Sequence, residues 1–181
     1  MADAHEVRAD EDDGLLDDYR AVVVKVDAAV AAISGRAGDA VTCHRGCDSC
    51  CAAGLSVLPV EAEHIARHLE AFPVDDVGAR ADRCTFLDGG GACRIYAARP
   101  LLCRTHGLAL KTSSSQHASL RIVDDVSVCG LNYTQRSPAA AEVLDADRVL
   151  ALLITVDRRF RAAAGFDVDD AGRVPLTALL G

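Results

Sequence analysis

Eight cysteines constrain this 181-residue chain more than any other feature. Cys43, Cys47, Cys50 and Cys51 fall in one short stretch, Cys84 and Cys93 flank a run of three glycines, and Cys103 and Cys129 follow. The first 42 and last 52 residues contain none, so the middle of the chain is one cysteine-organised unit. The opening MADAHEVRADEDDG is acidic and has no apolar h-region, which does not read as a secretory signal. The expected compartment is therefore a reducing cytosol, where clustered thiols more often bind metal than form disulfides.

Thiolates suit zinc and iron–sulfur clusters, and each such site takes about four ligands. Eight cysteines could fill two four-ligand sites, or one cluster plus a second ion. Spacers of two or three residues, as in Cys43-x3-Cys47-x2-Cys50, let a turn aim successive sulfurs at one ion, and Gly46 sits where that turn needs a permissive backbone. Cys50 and Cys51 are adjacent, and neighbouring side chains diverge. Either they serve different ions, or one bridges, or one is spare.

Four thiolates around one dication leave net negative charge, so nearby cations are expected. Arg45, Arg83, Arg94 and Arg104 each lie within two residues of a cysteine, and Arg99 lies four from Cys103. Arg94, Arg99 and Arg104 are the leading candidates to offset sulfur charge. His44 and His106 sit beside the cysteines and could ligate or carry protons, although a solvent-facing or hydrogen-bonded role is the simpler expectation. His64 and His68 share one helix face at i, i+4. With Ile65 and Leu69 alongside and no HExxH, they read as a half-exposed structural pair.

Helical spacing of apolar residues predicts a helix over about Leu15–Ile33, ended by Gly35 and Gly38. Pro59 at a first-turn position predicts a shorter amphipathic helix that stops before Pro73. CTFLD and ACRIY around the three glycines predict a small hairpin with a cysteine on each arm. RPLLCRTHGLAL reads as a turn or short helix and Ser113–Ser115 as a loop. Leu120–Val123 and Val126–Val128 read as short strands around Asp124-Asp125. Apolar positions from Val143 predict a long helix to about Ala164, and VPLTALLG is a final short apolar segment. The expected fold is mainly α with a small β-hairpin and an irregular, metal-stapled, cysteine-rich core. Residues 1–13 are expected to be a disordered acidic tail and 14–181 one domain.

CHRGCDSCC followed by LSVLPVEAEHIARHL resembles the first motif of the YkgJ family, also called the CxxCxxCC or zinc/iron-chelating cysteine-cluster family. CTFLDGGGACRIYAARPLLCRTHG resembles its second block, and Cys129 in VCGLN fits a further family cysteine. The chain departs from the family pattern in having three residues after its first cysteine. The resemblance implies metal chelation by Cys43, Cys47, Cys50, Cys51, Cys84, Cys93, Cys103 and Cys129, with zinc or iron as the cofactor, and does not imply one reaction. A similar cysteine pattern occurs in flagellin lysine N-methylases, so an iron–sulfur or zinc enzyme, acting by methyl transfer or redox modification of a protein, is one alternative. A zinc-stabilised protein-interaction module is the other.

Composition removes several classes. Twenty-seven acidic against nineteen basic residues give a net charge of −8, the opposite of a general nucleic-acid binder. No apolar run is long enough to cross a bilayer. Cys43-x3-Cys47-x2-Cys50 also matches the radical-SAM cluster spacing, but no repeating βα units follow it. P-loop and nucleophile-elbow motifs are absent. The Ala-rich, Arg-over-Lys composition points to a GC-rich bacterial genome.

Overall fold

With four Phe, three Tyr and no Trp, the core must be filled by aliphatic side chains on helices. The computed structural model describes residues 14–75, 82–113, 120–166 and 172–180. The expected acidic tail, residues 1–13, and most of the Ser113–Ser115 loop lie outside them. The described α-helices are α1 (Asp17–Ala37), α2 (Pro59–Ala71), α3 (Leu101–Thr105) and α4 (Ala146–Ala163). The strands are β1 (Ser56–Val57), β2 (Ala109–Lys111), β3 (Leu120–Val123), β4 (Val126–Cys129), β5 (Val143–Asp145) and β6 (Val174–Pro175). Among the described residues no helix is long and apolar enough to cross a membrane.

The apolar stripes of α1, α2 and α4 meet in the largest core cluster, where Leu16, Tyr19, Val22, Val26, Val60, Leu153, Val156 and Phe160 are buried together with Leu101 of α3. A second cluster joins α2 to the cysteine-bearing loop and the C-terminal segment through Ile65, Phe86, Ile95 and Leu176. Helix α1 runs past Gly35 to Ala37, four residues beyond the predicted Ile33, and Gly38 caps it. Its Arg36 donates to the Ala141 carbonyl (3.0 Å), which ties that last turn to a short 3₁₀ turn, Ala140–Glu142.

The β content exceeds the small cysteine hairpin and the Leu120–Val128 strand pair expected. Four strands form one sheet in the order β3-β4-β2-β5, and β1 pairs with β6. Asp124 and Asp125 both have positive φ (46° and 63°), the backbone of the two-residue turn that matches strand twist, so the predicted β3–β4 hairpin forms in register Val123↔Val126. β2 lies inside the stretch read as a turn or short helix, and β5 takes the first residues assigned to the last helix. The two pair in parallel, Ala109↔Val143. Segments of three residues are too short for periodicity to separate strand from helix.

The hairpin predicted around Gly89-Gly90-Gly91 is reduced to one bridge, Leu87↔Cys93. Asp88 folds the turn by accepting from the Gly90 and Ala92 amides (2.8 and 2.9 Å). The Phe86 and Ile95 amides favour the thiolates of Cys84 and Cys93.

Two buried carboxylates lock the helices in sequence. Asp157 on α4 accepts from the Val60 amide at the start of α2 (3.0 Å) and pairs with buried Arg161 (2.8 Å). Glu61 on α2 accepts from its own Leu58 amide (3.2 Å) and from the Leu101 amide that begins α3 (2.9 Å). Orphan helix-start amides are thereby satisfied inside the core. Burial holds the Glu61 carboxyl above its usual range, against the lowering effect of those two amides.

Two outcomes test this scaffold. Asp157→Ala takes a buried counter-charge from Arg161 and orphans the Val60 amide, so urea unfolding should show a loss of about 3 kcal/mol. His64 is pushed down to about 4 by burial and by the Arg104 and Arg20 charges. Its unfolded value near 6.5 is higher, so the unfolded chain binds the proton first and stability drops as pH falls from 6.5 toward 4. His64→Gln should flatten that part of the pH–stability curve.

Candidate metal centre

Two successive turns deliver the first four cysteines. The Cys47 amide donates to the His44 carbonyl (3.1 Å) and the Cys51 amide to the Asp48 carbonyl (2.9 Å). Gly46 takes φ +95° at the third position of the first turn, where a side chain would be strained. This bears out the role assigned to Gly46 from spacing.

Two hydrogen-bonded ties bring the distant cysteines to these turns. The Cys84 amide donates to the Cys51 carbonyl (2.9 Å), and Arg83 pairs with Asp48. On the other side, the Thr42 amide donates to the Asn132 side-chain oxygen (2.8 Å), which draws the segment after Cys129 against Cys43. Cys103 comes from α3, whose first amide Glu61 holds, and Cys129 ends β4 and is 2% exposed.

A cavity of about 180 Å³ lies between these segments. Cys43, Cys47, Cys50, Cys51, Cys84, Cys93 and Cys103 all line it, with Phe86, Leu87, Ile95, Leu102 and Leu108 among its apolar walls. Cys129 is packed behind it. All eight thiols are free. Among the described residues no three His, Cys, Asp or Glu side chains already stand as a ligand set around one point.

Which thiols are neighbours is written in how they perturb one another. Burial pushes Cys43 up to about 11, opposed by the Asn132 hydrogen bond and reinforced by Cys129 and Cys47. Burial pushes Cys103 up to about 12, reinforced by Cys84, Cys51 and Cys93. Burial also raises Cys84 and Cys93, each opposed first by one backbone amide. Cys50 and Cys51 share a hydrogen bond that makes Cys51 the more acidic of the two, with Arg99 and Arg83 further favouring its thiolate. Cys50 feels Cys43 and Cys129, whereas Cys51 is felt by Cys84, Cys93 and Cys103. The adjacent pair therefore faces two different neighbourhoods.

The arginines divide in the same physical terms. Arg99 favours the thiolates of Cys51, Cys93 and Cys103 and stacks over Tyr96 at 3.6 Å, with Arg45 at 5.4 Å from that ring. Arg94 favours the Cys84 thiolate. Arg104 lines the cavity as well, while its guanidinium donates to the Arg99 and Ala97 carbonyls and to Asp27 and so braces the loop before α3. His44 and His106 line the cavity, and the His44 ring is bonded to the Thr42 carbonyl at 2.9 Å. His64 packs edge-on against Tyr19 and His68 against Phe72, as expected of a structural pair.

Sequence reading missed Gly107 and Asn132. Gly107 has φ +101°, and a Cβ there would stand 2.7 Å from the Cys43 sulfur. Only the glycine after a cysteine-bearing helix hinted at such a close approach.

Compared with known families, residues 42–129 match the model of the CxxCxxCC family, described as "Putative zinc- or iron-chelating domain". No curated protein and no solved structure matches.

Gly107→Ala should cost about 2 kcal/mol in urea unfolding, because it combines backbone strain with a clash on Cys43. Gly165→Ala, at φ +75° with nothing within 4 Å, should cost only the backbone part, about 1 kcal/mol. Equal losses would contradict the close approach to Cys43.

Proposed function

We propose that this CxxCxxCC segment binds two ions of zinc or iron, one through Cys43, Cys47, Cys50 and Cys129 and the other through Cys51, Cys84, Cys93 and Cys103. The observation that carries the reading is a pair of separate ties, the Cys84 amide donating to the Cys51 carbonyl at 2.9 Å and Asn132 joining the Cys43 sulfur to the Cys129 carbonyl, with Cys50 sensing the latter pair. Seven free thiols lining one cavity, with Cys129 as an eighth free thiol, are the right donor chemistry for a thiophilic ion. The donors supplied to sulfur fit as well. Asn132 serves Cys43, the Phe86 and Ile95 amides serve Cys84 and Cys93, and the Arg99 and Arg83 charges serve Cys51. Such partners stabilise thiolates and fix their orientation.

Bound zinc would tie the loops together, and bound iron would add electron-transfer capacity. The chain's own residues do the rest. Asp48 and Arg83 hold the two loops together, Glu61 holds the helix that carries Cys103, and the apolar walls limit water around the sulfurs. Because ligands must be deprotonated and the unfolded chain has no site, metal binding here is also folding free energy.

Purification without oxygen, followed by metal analysis and an absorption spectrum, tests the proposal. The unaltered chain should carry about two ions. Cys129→Ser and Cys84→Ser should each lose about one, and each should melt at a lower temperature. Losing both ions in either variant would replace two sites by a single shared cluster. Full metal content in both variants would remove Cys129 and Cys84 from the ligand set.

A further inference from the structure

Three residues beyond the family match stands a side chain with every polar atom committed. Asn132 is 0% exposed. Its Oδ1 accepts from the Thr42 amide at 2.8 Å and from the Thr42 hydroxyl at 3.0 Å. Its Nδ2 donates to the Gly107 carbonyl at 2.5 Å and to the Cys43 sulfur at 3.3 Å. The orientation of the amide is fixed by chemistry. A backbone N–H can only donate, so Oδ1 faces Thr42, and a carbonyl can only accept, so Nδ2 faces Gly107. The remaining N–H is therefore presented to sulfur. The Asn132 backbone amide also donates to the Cys129 carbonyl at 3.0 Å.

We propose that Asn132 is a positioning residue for the metal centre, holding Cys43 and Cys129 in one frame and placing an N–H donor on the Cys43 sulfur. An apolar side chain of similar size would fill the space but orphan the Thr42 amide inside the fold. A buried amide is costly unless all its hydrogen bonds are made, and here Thr42, Cys43 and Gly107 supply them. An N–H on a thiolate draws electron density from the sulfur, which tunes its donation to a bound ion. The inference rests on the proposed role of Cys43 as a ligand. It adds a residue with no metal-binding group of its own, one that spacing of cysteines and histidines could not reveal.

The test uses the full chain loaded with cobalt(II) under anaerobic conditions. Asn132→Asp keeps the acceptor toward Thr42 and removes the donor toward sulfur. Its sulfur-to-cobalt charge-transfer band should move to lower energy, and a competing chelator should remove cobalt about tenfold more readily. Thr42→Val removes one hydrogen bond from the other end of the same amide. It should lower the melting temperature while leaving the band in place. An unmoved band in Asn132→Asp, or the same band shift in Thr42→Val, would overturn the proposal. If Asn132→Asp does not fold, the unaltered chain loaded with NMR-active cadmium decides. One Asn132 side-chain proton should show scalar coupling to cadmium across the N–H···S bond, and no coupling with cadmium bound would overturn the proposal. Failure of the unaltered chain to take up cobalt or cadmium would instead sink the metal-binding reading itself.

Discussion

Sulfurs gathered in a half-buried cavity resist ionising together. Each thiolate must give up water, and each raises the cost of the next, which is why Cys43 and Cys103 are pushed to about 11 and 12. The cavity is therefore a concentration of unmet charge demand. A cation among the sulfurs reverses the sign of that coupling, because every thiolate then stabilises the ion and is stabilised by it. Much of the surrounding architecture makes sense as a means of holding the thiols together in the face of this repulsion.

The holding is done by backbone and carboxylate contacts at some distance from sulfur. Asp157 fixes α2 to α4, Glu61 on α2 fixes the start of α3, and α3 carries Cys103 into the cavity. The Cys51–Cys84 tie closes one side, and the Thr42–Asn132 tie closes the other. Arg104, which donates to Asp27 and to two carbonyls at the cavity's edge, takes part in this bracing. The apolar core between α1, α2 and α4 meets the cysteine cavity at Val30, so the helices form a frame against which the cysteine loops are held.

Elements with long apolar periods were legible before any coordinates. Helices α1, α2 and α4 appear within a few residues of their expected limits, and the Asp124-Asp125 hairpin appears in full. What escaped were pairings decided by tertiary contact. The parallel β2–β5 pair joins residues more than thirty positions apart in segments of three residues. The hairpin at Gly89–Gly91 is reduced to the single bridge Leu87↔Cys93. The candidate site divides along the same line. Cysteine positions announce a metal centre, and adjacent Cys50 and Cys51 raise the question of two ions. Their separate neighbourhoods, and the parts played by Asn132 and Gly107, depend on chain crossings that spacing does not encode.

The most direct test of the account is X-ray absorption at the metal edge of the natively loaded chain, which reads the atoms around the ion without altering any residue. Two four-thiolate sites predict about four sulfur neighbours per ion at about 2.3 Å, with no nitrogen or oxygen in the first shell. A first shell dominated by nitrogen and oxygen would contradict the account.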